Sequence, residues 1–482
     1  MRERTLLIVI TCGVALRGAF AVGGVNAPPA PAPPHEINFT QPQETKLDNG
    51  LRVIVAERPD LPLLAAEVVV RNGAEIDPPS LAGTASMTGA LLTKGTESMS
   101  APQIANAIES LGGEISSGAG WDSSTASVVV MSNKADAALA ILADVILHPT
   151  FKQEEIDRLK KQRLDGLRVA LQQPGALAGF VTERVVFDSG EYGHSAGGTI
   201  ETVQAMKRDD IAKLYKNYYA PANAALIFVG NVTLEQGKGY AQKYFGAWKV
   251  AETEAKARQS SAGEWKSENV VVDMPPAGQA AVAVSKPAIR RDSPDYYSGL
   301  VANAALGNGF ISRLNREIRI KRGLSYYVRS SLDARRDTGP FVASAQTKNE
   351  SAAEVAKLVM VELKRLATDP VQGEELKSRQ AVLTGGYARS LETNEGFADN
   401  LASLATYNLP LDRLNQFIPK INAVTTKDVT NFANKYLATL PSLIVVGKAP
   451  AFLEFLKKDF PDVKVIPQVD LDLNRADLAK QK

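Results

Sequence analysis

Three histidines and one cysteine among 482 residues set narrow limits on the chemistry open to this chain. A helical zinc site needs two imidazoles on one helix face, four residues apart, with further ligands brought to them. His35, His148 and His194 are too widely spaced to share such a face, so the site cannot be assembled from them. His194, in Tyr192-Gly193-His194-Ser195, reads as a loop-packing residue, and His148, beside Pro149, as a helix end. Asp122 and Ser123 precede an apolar run, but no serine–histidine or paired-carboxylate spacing surrounds them, so hydrolysis through them stands only as an alternative. Gly307-Asn308-Gly309 lacks the third glycine and the lysine and serine of a phosphate loop, so it gives no ground for phosphate binding. On residue type alone, Arg316, Arg319 and Arg322 form a solvated helix face, with Tyr326 and Tyr327 as strand aromatics.

The elements that must position any site are written twice. Tyr219-Ala220-Pro221 ends a helix and runs into the apolar stretch closing at Gly230; Tyr436-Leu437-Ala438 does the same 217 residues later, closing at Gly447. Glu154-Glu155-Ile156, after Pro149, is echoed by Glu374-Glu375-Leu376, after Pro370, at an offset of about 220. Lys207-Arg208-Asp209-Asp210 and Thr426-Lys427-Asp428 both read as helix starts with acid in the first turn. Ile104, Ile108 and Leu111 fall on one helical face, as do Leu139, Leu142 and Ile146, and Val355, Val359, Leu363 and Leu366. Strands are expected at 51–56, 65–71 and 123–131 in the first half, and at 270–274, 280–285 and 340–346 in the second. Each half is thus an α+β layer, a mainly antiparallel sheet covered by helices on one side. Two such halves facing each other enclose a cleft, a preferred place for ligands.

Composition agrees with a chain large enough for more than one core, with 45% apolar and 22% charged residues. A net charge of only +2 gives no electrostatic footprint for nucleic acid. Arg2 and Arg4, the apolar run 6–16 and Ala19-Phe20-Ala21 have the pattern of a cleavable secretory signal. That run falls short of the roughly 20 residues a membrane span requires, so secretion across the inner membrane to the periplasm is expected, with no stable span after cleavage. Cleavage also removes Cys12, leaving neither disulfides nor thiolate chemistry. The expected layout is a signal at 1–21 and a Pro/Ala-rich tether at 22–43. An N-terminal domain at 44–250 follows, then a polar linker at 251–267, a C-terminal domain at 268–465 and a polar tail at 466–482.

Five stretches in order carry a resemblance: Arg71-Asn72-Gly73-Ala74-Glu75, Leu91-Leu92-Thr93-Lys94-Gly95-Thr96, Leu111-Gly112-Gly113, residues 193–199, and residues 219–230. Together they resemble successive landmarks of the pitrilysin/insulinase-type zinc peptidases, family M16, over residues 44–455. The resemblance implies two tandem homologous α+β domains forming half of a clamshell. Active members carry His-x-x-Glu-His just before the Lys-Gly-Thr stretch, where two histidines hold zinc and the glutamate activates water. Counting back from Lys94-Gly95-Thr96, those positions fall on Ser86, Gly89 and Ala90, and the third ligand, some 76 residues further on, at or beside Gly166. None of these can ligate zinc or move a proton. The segment Gly307-Asn308-Gly309-Phe310-Ile311-Ser312-Arg313-Leu314 and the later Gly323-Leu324-Ser325-Tyr326 resemble the part of the family whose arginine and tyrosine reach over the substrate. By that likeness the pair is Arg319 and Tyr326, with Arg322 and Tyr327 as local alternatives. A fixed guanidinium and phenol can donate hydrogen bonds to a scissile carbonyl and its developing oxyanion.

The resemblance implies a noncatalytic subunit that pairs with a zinc-bearing homologous peptidase and helps hold peptide substrate. No metal or other cofactor is then expected in this chain, zinc being carried by the partner. The alternative is a non-proteolytic binding or assembly protein with the same clamshell, similar to the core proteins of respiratory complexes.

Overall fold

A computed structural model of the chain describes residues 39–249 and 265–481. The expected signal, most of the tether and most of the linker lie outside the described residues, as do Cys12 and His35. The first half carries strands β1 (Gln43–Lys46), β2 (Arg52–Glu57), β3 (Leu63–Val70), β4 (Glu114–Ala119), β5 (Ser124–Met131) and β6 (Ala224–Gly230). Its helices are α1 (Thr84–Leu91), α2 (Ala101–Ser110), α3 (Ala135–Leu147), α4 (Gln153–Ala170), α5 (Pro174–Phe187), α6 (Ile200–Ala205), α7 (Arg208–Tyr218) and α8 (Leu234–Phe245). The second half carries β7 (Asn269–Asp273), β8 (Ala280–Pro287), β9 (Tyr327–Leu332), β10 (Pro340–Thr347), β11 (Ser442–Gly447) and β12 (Lys464–Pro467). With them run α9 (Tyr296–Leu306), α10 (Ala352–Thr368), α11 (Gly373–Ser390), α12 (Asn394–Thr406), α13 (Arg413–Ala423), α14 (Thr426–Phe432) and α15 (Leu453–Asp459).

The duplication is visible in the pairing. One six-stranded sheet runs β1-β2-β6-β3-β5-β4 and the other β12-β7-β11-β8-β10-β9, so four central strands and one edge correspond one to one. In each sheet the late strand, β6 or β11, inserts parallel to β2 or β7 and antiparallel to β3 or β8, with Leu226 opposite Val53 and Leu443 opposite Asn269. The remaining edge differs. Strand β1 pairs antiparallel with β2, whereas β12 returns from the C-terminal end and pairs parallel with β7.

The expectation of helices on only one side of each sheet is corrected. In β6 every residue is buried, and alternate residues enter different cores because successive side chains point to opposite faces. Leu226 and Phe228 join Ile104 and Leu139 of their own half, while Ala225, Ile227 and Val229 meet Phe397, Leu401 and Ala405 of α12 from the other half. The exchange is reciprocal. Leu177, Ala178, Val181 and Val185 of α5 pack on Val270, Ala281, Ala283, Ile444 and Val446 of the second sheet. A strand covered on both faces reads as a continuous apolar run, as 225–229 and 443–446 do. Each buried Leu, Val or Phe side chain there contributes about 2 kcal/mol, so each half completes the other.

A polar joint adds to this exchange. The loop after β9 inserts Arg335 and Arg336 into the first half, where Arg335 binds Glu183 at 2.9 and 3.2 Å and lies over the Trp121 ring. Arg336 reaches Glu75 at 3.1 Å and the backbone carbonyls of Arg71 and Asp122 at 2.7 Å. Arg335 is only 2% exposed, and its two carboxylate partners, Glu183 and Asp333, offset the cost of burying its charge.

A candidate site with its metal ligands erased

Helix α1 begins after Gly83, whose φ of 94° suits a residue without a side chain. Both oxygens of Asp77 accept from the first turn, from the Gly83 nitrogen at 2.8 Å and the Ala85 nitrogen at 2.9 Å, fixing its start. Ser86, Gly89 and Ala90 follow at spacings that share a face. Gly166 lies on α4, which packs beside α1, the helix that carries the other three positions. What they offer a metal is one hydroxyl and no carboxylate or imidazole. Among the described residues no group of three His, Cys, Asp or Glu side chains could hold a metal ion. Asp165, next to Gly166, is tied to Arg168 at 2.6 Å on the exposed side of α4. Zinc therefore does not fit this donor set.

Two features go further than missing ligands. Arg163, one turn before Gly166, donates from Nη2 to Ser86 Oγ at 3.0 Å, so a guanidinium stands beside the vacated positions. Burial pulls its pKa below the ordinary arginine value, though nothing suggests that it loses its proton. Gly89, at the glutamate position, is the point where α1 meets β4. A Cβ there would come within 2.6 Å of the Gly118 carbonyl carbon, closer than side chains approach backbone. The sequence marks Gly89 as inert; the close contact with Gly118 needed the structure.

On the second half, residues Asn315–Ile320 form a π-helical turn, with Lys321 N bonded to the Arg316 carbonyl at 2.9 Å. Such turns are uncommon and recur at functional sites. This one separates Arg322 from Arg319. Arg322 is held by the carboxylate and carbonyl of Glu317. Arg319 instead lies between two rings, its guanidinium carbon 4.9 Å from the centre of Phe310 and 4.6 Å from that of Tyr326. Tyr326 is 84% exposed, while Tyr327 starts β9 beneath Arg329. The loop before them is glycine-dependent at two points. A Cβ on Gly307 would come within 2.3 Å of the Ser330 nitrogen, and Gly309 has a φ of 124°.

Asp122 is a structural hub. Its carboxylate accepts from Tyr192 at 2.6 Å, from Tyr407 of the other half at 3.0 Å and from the Arg336 nitrogen at 3.0 Å. Those partners occupy the oxygens a general base would need, which removes the ground for hydrolysis through Asp122 and Ser123. His194 is buried against Trp121 at 5.3 Å, and burial holds its pKa below the ordinary value. His148 closes α3, its nitrogen bonded to the Asp144 carbonyl at 2.9 Å. Arg163, Arg335 and Arg336 were not anticipated. Only Arg163 had a sequence signal, its place three residues before Gly166.

The fold and this site define a two-domain, peptidase-like half clamshell whose metal-binding positions are vacant of ligands. The family description "Insulinase (Peptidase family M16)" matches residues 52–182, and "Peptidase M16 inactive domain" matches residues 205–383. An uncharacterized zinc protease of Streptomyces coelicolor is 25% identical over 84% of this chain and 89% of its own length. One from Bacillus subtilis is 23% identical over 80% and 93%. A crystal structure described as a peptidase M16 inactive domain, from Pseudomonas fluorescens, superposes with a TM-score of 0.79 at 27% identity, covering 84% of this chain and 98% of that one. A Helicobacter pylori protease, at 20% identity, shares the fold with the same TM-score of 0.79. The chain belongs to peptidase family M16, as a noncatalytic member.

Proposed function

We propose that the chain is the noncatalytic subunit of a secreted, periplasmic zinc metallopeptidase. It pairs with a zinc-bearing homologue and lends Arg319 and Tyr326 to peptide hydrolysis in the shared cleft. The observation that carries this reading is a division within one chain: Ser86, Gly89, Ala90 and Gly166 have no ligand chemistry, while a half-buried Arg319 lies against the ring of the exposed Tyr326. A guanidinium held between rings keeps its N–H edge available for a carbonyl, and the exposed phenol beside it supplies a second donor. The relatives named zinc proteases belong to the class from which such a partner would come. No helix among the described residues is long and apolar enough to cross a membrane.

The test is association. Sedimentation velocity of this chain mixed with an M16 homologue that retains His-x-x-Glu-His should show a one-to-one species absent from either chain alone. Two unchanged single-chain boundaries at micromolar concentration would count against pairing.

A further inference from the structure

We propose that the groove around Arg163 binds the carboxylate of a peptide, so that a guanidinium anchor has replaced the metal centre. The groove, about 360 Å³, is lined by Leu159, Gln162, Arg163, Gly166, Leu167 and Ala170. Arg163 is half-buried there, and its one hydrogen bond among the described residues goes to a neutral hydroxyl, that of Ser86. It has no carboxylate counter-charge among those residues. Burial alone moves its pKa, whereas Arg313 and Arg335 are each offset by nearby acids.

A partly desolvated cation without an acid partner is costly, and a ligand that brings the acid recovers that cost. The planar fork fits two carboxylate oxygens. The Gly166 side of the groove leaves room for one, since a Cβ at Gly166 would meet nothing within 4 Å. Leu159, Leu167 and Ala170 supply apolar contact for the residue that bears the carboxylate. The peptide C-terminus is the favoured source, because its carboxylate enters a shallow groove without the bend an internal side chain requires. This inference deepens the reading above and rests on the cleft being a peptide cleft.

The test uses this chain alone, so its outcome does not depend on pairing. Isothermal titration would compare acetyl-Ala-Ala-Leu as free acid, the same peptide as its amide, and acetyl-Ala-Glu amide. The free acid should bind at least about tenfold more tightly than its amide, the gain typical of a charge-assisted pair. Arg163→Gln should abolish that preference. So should Ser86→Asp, which keeps the arginine but supplies an internal acid. Thermal unfolding of both variants would show that the fold is retained. If the glutamyl amide matches the free acid, the site takes side-chain carboxylates as well; if it matches the amide, the C-terminus alone is recognised. Equal or absent binding of all three peptides, or a preference that survives Arg163→Gln, would overturn the proposal.

Discussion

The Arg319 guanidinium carbon lies 4.6 Å from the centre of the Tyr326 ring, so the half-buried arginine and the exposed tyrosine are presented as one unit. Changing Arg319 to Ala or Tyr326 to Phe should lower turnover in a reconstituted pair and leave association intact. Loss of one donor to a developing oxyanion costs about 3 kcal/mol, or about a hundredfold in kcat, where geometry is good. A small effect confined to KM would mean that the pair binds substrate and transition state alike. Full activity of both variants in a complex that still forms would remove their proposed role.

Rebuilding the metal site should fail. The combined variant Ser86→His, Gly89→Glu, Ala90→His and Gly166→Glu restores the family's residue types, but a side chain at Gly89 collides with Gly118 on β4. Overpacking of this kind costs about 1–3 kcal/mol, and Arg163 still places a positive charge beside the ligands. Metal analysis after dialysis is expected to give far less than one zinc per chain. Stoichiometric zinc would show that α1 moves off β4 more easily than the contact implies.

Much of this was legible in the sequence. The 217-residue repeat announces two matching layers, and counting from Lys94-Gly95-Thr96 locates the erased positions on α1. The exchange of α5 and α12 was not, although the unbroken apolar runs at 225–229 and 443–446 were its signature. An amphipathic helix shows which face is buried and not against which sheet. Arg163 was missed for a related reason: an arginine on a polar helix looks solvated until its neighbour across the groove is known.

The exchanged helices should make the two halves unfold together. Phe397 is fully buried on the first sheet although it belongs to the second half, and Phe397→Ala is expected to destabilise the whole chain by about 3–5 kcal/mol. A single denaturation transition should persist, and proteolytic nicking within the expected linker, 251–267, should leave two fragments that stay associated until denaturant is added. Separate transitions for the two halves would contradict the exchange.

Glu67, on β3 at the same interface, gives a pH dependence of known sign. Burial, and then the charge of Asp399 on α12, push its pKa from 4.5 to about 8. Between those values the folded chain holds a proton that the unfolded chain has released. This contribution to stability is therefore complete below about pH 4.5 and declines as pH rises toward 8, by at most about 1.4 kcal/mol per unit. Unfolding midpoints in urea measured across pH 5 to 8 should fall for the native chain and fall less steeply for Glu67→Gln, in which Glu75, also pushed up to about 8 by burial, still contributes. Parallel curves would mean that Glu67 is not the proton holder.

The central claim, a divided active site, is tested most directly by peptidase activity in a mixture. Each chain would be assayed alone and then at equal concentration with the zinc-bearing homologue, on a fluorogenic peptide series. The account predicts that neither chain alone turns over substrate appreciably, and that the mixture gains activity which saturates at one-to-one stoichiometry and disappears when the partner's zinc is chelated. A homologue as active alone as in the mixture would contradict it.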